Sequence, residues 1–284
     1  MGEFIGFFST IFGYVLNFIY EIVKNYGLAI IIFSVIIKIV LLPLSIKQQK
    51  TLKKSSKMQE EMKKIQEKYK GNQEKINQET LDLYKREKMS PFSGCFSAII
   101  QLILILAMFF LVSKPLTFMK QIDEETISNY EQEIRAENPE NARISYPEIS
   151  IIKEKGQEDP NVNINMNFLG LDLSSVPTQN VSDFRVYVIP ILYVISSIVS
   201  MKITSNMTNN KKKEEVIENE NKDKEKNELD AVAQANKSMM WMMPIMSVTI
   251  ALVAPLGLAL YWLVNNILIT IEKIVLNKFL VKED

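Results

Sequence analysis

From Gly27 to Ile46 the chain is almost unbroken Leu, Ile and Val, set within the stretch NYGLAIIIFSVIIKIVLLPLSIKQQK from Asn25 to Lys50. One charge, Lys38, interrupts the run, and a dense series of lysines follows it. At about 1.5 Å of rise per residue, this is the length a helix needs to cross a bilayer. A lysine within hydrocarbon costs at least ~2.5 kcal/mol on insertion scales, so Lys38 demands a polar or watery face at membrane depth. Snorkelling alone fails unless the bilayer is locally thinned. The side chain reaches about 6 Å, whereas the helix between Lys38 and Lys47 rises roughly 13 Å. Three explanations remain: a hydrated recess shared with other helices, a buried ion pair, or a helix that starts elsewhere. The nearest acid for a pair is Glu272, close to the end of the last apolar segment and expected at the membrane interface.

The formal net charge of zero hides strong segregation, because apolar blocks alternate with highly charged ones. A soluble domain mixes the two at helical or strand period; segregation of this kind marks a polytopic membrane protein with charged loops. One cysteine, Cys95, and no histidine exclude an internal disulfide, Cys/His metal sites and histidine-based acid–base catalysis. The apolar segments also lack the paired acids of an intramembrane enzyme or proton relay. The expectation is therefore a non-enzyme without cofactor or metal, and nothing points to nucleic acid. The start of the chain lacks the basic region of a cleavable signal, and no cysteine there offers a lipid-attachment site.

Residues 1–25 carry apolar side chains largely at three-and-four spacing, with Glu3, Ser9, Asn17, Glu21 and Lys24 interrupting the other side. That pattern predicts an interfacial helix on the outer face rather than a crossing. Crossings are then expected at 26–46, 91–113, 184–204, 239–254 and 256–276. Residues 47–90 form a basic helical hairpin, with Gly71-Asn72 as the turn. Its seam is expected from Met58, Met62, Ile65 and Tyr69 on one helix and Ile76 and Tyr84 on the other. Residues 114–183 are an acidic, Asn- and Pro-rich segment, 205–238 a low-complexity Lys/Glu/Asn loop, and 277–284 a short tail.

Residues 47–90 carry thirteen Lys/Arg against seven Asp/Glu, and residues 114–185 show the reverse, seven against thirteen. The lysine excess places the hairpin in the cytoplasm. Five crossings then put the N-terminus and the acidic segment outside, and the 205–238 loop and C-terminus inside.

Polar residues within the apolar segments fall on helical faces. Ser34, Lys38 and Ser45 share one face of the first crossing, at steps of four and seven. Tyr261, Asn265 and Asn266 do much the same on the fifth, with Thr270 four beyond Asn266. Tyr193, Ser197 and Ser200 share a face of the third, and Gln101 stands alone on the second. If these faces converge they line a common hydrophilic groove; otherwise they act as interhelical glue, at ~0.6 kcal/mol each. Phe109 with Met239, Met242, Met243 and Met246 offers a soft apolar slide for varied partners, or simply faces lipid.

The segments NYGLAIIIFSVIIKIVLLPLSIKQQK, KMQEEMKKIQEKYKGNQEKINQETLDLYK, SPFSGCFSAIIQ, NFLGLDLS, MMPIM and PLGLALYWLVNNILITIEK follow one another in an order that resembles the YidC/Oxa/Alb family of membrane-protein insertases, in its short Gram-positive form. The resemblance implies an all-α bundle of five crossings around a groove open to cytoplasm and lipid, located in the cell membrane. It implies an insertase and folding chaperone working without nucleotide hydrolysis. Its partners are nascent membrane proteins and lipid, with ribosome, targeting machinery and the Sec translocon as further contacts. In such proteins a positive residue of the first crossing receives the polar or acidic part of a substrate; the matching position here is Lys38, where arginine is usual. A second departure is Gly-Cys-Phe-Ser-Ala at 94–98, where Gly-Cys-Leu-Pro is usual. Two rival readings are a passive scaffold for membrane complexes and a small-solute transporter, although no duplicated hydrophobic pattern supports the latter.

Overall fold

The computed structural model describes residues 2–87, 93–137, 146–215, 249 and 251–280. These are predominantly helical. In order come α1 (Gly2–Val23), α2 (Tyr26–Lys68), α3 (Gln73–Arg86), α4 (Ser93–Ser113), α5 (Pro115–Phe118), α6 (Glu124–Glu137), α7 (Pro147–Lys155), the two-residue strands β1 (Asn167–Phe168) and β2 (Leu171–Asp172), α8 (Val188–Glu215) and α9 (Leu256–Leu280). Among the described residues, four helical stretches suffice by length and composition to cross a membrane: Phe4–Val23, Tyr26–Thr51, Phe184–Thr204 and Leu256–Lys278. Leu102–Ser113 is a shorter apolar helix. The expected 239–254 crossing falls almost wholly outside the described residues, and with it Met239, Met242, Met243 and Met246.

Helix α2 does not stop where its apolar run ends. It continues through Pro43 into the lysine-rich stretch for 43 residues, about 65 Å of rise. After the turn at residues 69–72, where Gly71 adopts φ +82°, α3 folds back along it. Asn72 caps α3 by accepting from the Lys75 N–H. The seam is thin: Met58 and Leu83 are buried, the Tyr84 hydroxyl meets Met62 Sδ at 3.9 Å, and Tyr69 donates to Glu79 at 3.0 Å. Ile65 and Ile76 are half-buried. Arg86 closes the open end on Glu61 at 2.5 Å.

The segment between α4 and α8 ties together the starts of two long helices. The first N–H groups of a helix have no partner within it. For α2 these are met by Asn25, whose Oδ1 accepts from Leu28, and by Asn165, whose carbonyl accepts from the Tyr26 N–H at 3.0 Å. For α9, the carbonyls of Ser175 and Leu173 accept from Leu256 and Gly257, both at 2.9 Å. One segment therefore sets α2 and α9 at a common level, running the same way. The β1–β2 hairpin presses Phe168 onto Gly27, where an added Cβ would lie 2.5 Å from the ring. Within the segment, Ile134, Ile149, Ile151, Ile152, Val162 and Leu173 form part of the core.

Helix α1 differs from the amphipathic pattern expected of it. Phe4, Phe7, Ile11, Tyr14, Phe18 and Ile22 form an exposed stripe. Two of its polar residues meanwhile turn inward: Ser9 is fully buried and donates to the Ala107 carbonyl of α4 at 3.0 Å, and Asn17 Oδ1 is buried. A helix lying between lipid and water needs a polar outer side. The outer side of α1 is apolar over most of its length, with Glu21 exposed beside Ile22 at its end. Its close approach to α5 depends on Gly13, whose Cβ would fall 1.8 Å from the Phe118 carbonyl oxygen.

Candidate functional site

The face that carries Lys38 is built by the period of α2. Ser34, Lys38, Leu41, Ser45 and Gln48 succeed one another at steps of four, three, four and three, so they stack along one side of the helix. Opposite stand Leu104, Ile105 and Met108 of α4, and Tyr261 and Asn265 of α9. With Phe12 of α1 and Phe33, Ile37 and Leu44 of α2, these residues line a recess of about 50 Å³. That volume holds a few water molecules but not a helix, which is about 10 Å across. Its walls are apolar towards α1 and α4, and its polar groups come from α2 and α9.

Lys38 is paired. Its Nζ lies 2.8 Å from Glu272 Oε2, with side chains 24% and 12% exposed. Lys38 is twelve residues beyond the start of α2 and Glu272 sixteen beyond the start of α9, about 18 and 24 Å along parallel helices. The pair thus bridges the two helices, from the middle of the apolar stretch of α2 to the last third of that of α9, with both side chains mostly buried. Lys38 both lines the recess and, through its ammonium, touches the carboxylate of Glu272.

The other polar residues divide. Ser34, Ser45, Tyr261 and Asn265 join Lys38 at the recess. Asn266 faces α8 instead, and its Nδ2 donates to Ser197 Oγ at 2.7 Å and Ser196 Oγ at 3.2 Å. Tyr193 packs tilted against Trp262, with ring centroids 6.4 Å apart. Thr270 donates to the Asn266 carbonyl of its own helix. Tyr193, Ser197, Ser200, Asn266 and Thr270 are not among the residues lining the recess; the first two, with Asn266, join α8 to α9. Phe109 packs against the core beside Phe110, and Met108 supplies the α4 wall. Gln101 belongs to α4. One polar residue at the site, Gln48, is absent from the sequence-derived set although its spacing announces it, three beyond Ser45 on the same α2 face; Glu272, the acid nearest for a pair, is seven beyond Asn265 on α9. Among the described residues, no three His, Cys, Asp or Glu stand close enough to hold a metal ion.

Comparison with known proteins places this architecture. The model of the 60Kd inner membrane protein family matches residues 18–283. The chain belongs to that family. This is the YidC/Oxa/Alb family of the sequence resemblance. Among its curated relatives, the Membrane protein insertase YidC of Geobacter metallireducens is 26% identical over 263 residues, 93% of this chain and 35% of the relative. The protein of the same name from Rickettsia prowazekii is 27% identical over 266 residues, 94% of this chain and 38% of its own length. That of Fusobacterium nucleatum is 35% identical over 96 residues, 34% of this chain and 47% of the relative. The chain thus spans between about a third and a half of the length of these relatives. With its family and its long apolar helices, it is a multi-pass protein of the cell membrane.

Proposed function

We propose that the chain inserts and assembles membrane proteins as an insertase and folding chaperone, without nucleotide hydrolysis or cofactor. The observation that carries this reading is Lys38, a cation within an apolar helix that lines a recess together with Ser34, Ser45, Gln48 and Asn265. Membership of a family whose curated relatives are named membrane protein insertases supports it. In this reading the recess is the inner end of a groove open to cytoplasm and lipid and closed outside by residues 114–183. It is framed by five crossings, at 26–46, 91–113, 184–204, 239–254 and 256–276. The α2–α3 hairpin is cytoplasmic and helps capture substrate, and the C-terminus lies inside. Helix α1 is embedded in the outer half of the lipid, because its exposed stripe is apolar. Nascent membrane proteins and lipid are the partners, with ribosome, targeting machinery and the Sec translocon as docking factors.

The driving terms are simple. A polar or acidic stretch of substrate enters the wet recess, drawn by positive charge at short range in a low dielectric. Its apolar stretch partitions into lipid, gaining ~25 cal/mol per Å² removed from water. The recess holds only a few waters, so the groove must widen or the substrate must enter along its open side. A second reading, a passive scaffold, is favoured by the Lys38–Glu272 pair and the Asn266–Ser197 bond, both of which serve equally to join helices. Insertion of a single-span protein with an acidic N-terminal tail by Lys38→Arg, Lys38→Ala and Lys38→Glu variants separates the two. The insertase reading expects near-normal Arg and failed Ala and Glu variants. Equal insertion by Lys38→Glu and the unaltered protein refutes the role of the charge.

A further inference from the structure

The Lys38–Glu272 pair has the geometry of a replaceable contact. A lysine ammonium has three N–H donors, and Glu272 Oε2 meets one of them through a single contact. Among the described residues, Lys38 has no second hydrogen-bond acceptor. The group also lines the recess, so a second oxygen can reach it from that side while Glu272 holds it from the other. Lysine is a compact point charge without the bidentate fork of arginine, and can exchange one carboxylate for another with little change of geometry.

We propose that Glu272 is a resident counter-ion, held on Lys38 until a carboxylate of the incoming polypeptide displaces it, and that this competition sets how acidic a segment must be to engage the recess. The proposal rests on the insertase reading and adds its selection step. Buried cations left unpaired are costly. Glu272 satisfies Lys38 in the empty groove and becomes a barrier to weakly acidic segments. A segment with one carboxylate competes with Glu272 on nearly equal terms, whereas one with several does so in excess.

The test uses the full-length protein reconstituted in phosphatidylethanolamine–phosphatidylglycerol vesicles, with single-span reporters whose N-terminal tails carry no, one or three aspartates. Glu272→Gln removes the competing charge and keeps the side-chain shape. Its expected effect is about a fivefold gain in insertion of the one-aspartate reporter, with little change for three. The gain disappears in the Lys38→Ala/Glu272→Gln double variant. Labelling of Lys38 by a water-soluble amine reagent, which requires no substrate, rises in Glu272→Gln by a similar factor. Glu272→Asp, with a shorter arm, gives an intermediate result and serves should the Gln variant fail to fold. Parallel loss for all three reporters, or a one-to-three-aspartate ratio and labelling rate unchanged from the unaltered protein, overturns the proposal. Failure of the unaltered protein to insert any reporter refutes the insertase reading itself, a different result from charge-dependent insertion that ignores Glu272.

Discussion

Glu148 of α7 provides a sharp test of how the segment between α4 and α8 is held. Its side chain is 4% exposed and accepts three hydrogen bonds from α5: Leu116 N–H at 2.7 Å, Thr117 N–H at 3.0 Å and Thr117 Oγ1 at 2.6 Å. It thereby satisfies N–H groups at the start of a four-residue helix too short to satisfy them itself. In Glu148→Ala the Leu116 N–H, on a fully buried residue, and the half-buried Thr117 N–H lose this acceptor. An unsatisfied buried donor costs about 1–3 kcal/mol. Allowing for relief of the carboxyl's own desolvation and for water reaching Thr117, the net loss is about 2–4 kcal/mol. In Glu148→Gln the amide oxygen can accept both N–H groups, since both donate to Oε2, so the loss should stay within about 1 kcal/mol.

The pH dependence adds a second reading of the same group. Burial pushes the Glu148 carboxyl above its ordinary value of 4.5, against the lowering effect of its hydrogen bonds from α5. For an acid raised in the folded state, the favourable contribution is complete below 4.5 and fades as pH rises through the raised value. The amide introduced by Glu148→Gln cannot ionise, so that variant should gain relative to the unaltered protein as pH increases across that window. Thermal unfolding in detergent and hydrogen exchange of the 115–120 peptide measure both effects. Unchanged exchange at Leu116 and Thr117 in Glu148→Ala, or a Gln variant as destabilised as Ala, refutes this account of the anchor.

Two further substitutions probe the helix contacts. Gly13→Val cannot be accommodated where even a Cβ falls 1.8 Å from the Phe118 oxygen, so α1 should separate from α5 at a cost of several kcal/mol, read as faster proteolysis after Lys24. Asn266→Val removes the bonds to Ser196 and Ser197 and should cost about 0.6 kcal/mol in thermal stability while leaving charge-dependent insertion intact. A loss of charge discrimination in Asn266→Val would return that residue to the groove.

The linear chain contained more of the site than its polar residues alone. Period fixed the α2 face, because residues three and four apart must stack on one side of a helix. The same rule, carried one step further, reaches Gln48 and Glu272. At the turn between α2 and α3, Gly71 supplies the positive φ, and Met62 and Tyr84 meet between the two helices. Period does not say which faces meet. Asn265 and Asn266 are adjacent and equally polar, yet one lines the recess and the other binds α8, a choice made by the rotation of α9. For α1 the polar residues were visible but their direction was not. In lipid, an apolar outer surface is favourable, and scattered polar groups turn inward to find partners, as Ser9 does on Ala107.

What the sequence alone determined is therefore local: apolar runs long enough to cross a bilayer, a charge isolated within one of them, and the order of segments that marks the family. Only the tertiary structure decided that Lys38 meets Glu272, 234 residues away in the chain. That contact depends on α2 and α9 starting at one level, held there by carbonyls of Asn165, Leu173 and Ser175. Helical period acts over a few residues, whereas relative height and rotation of two helices are set by the bonds at their ends and by the side chains packed between them.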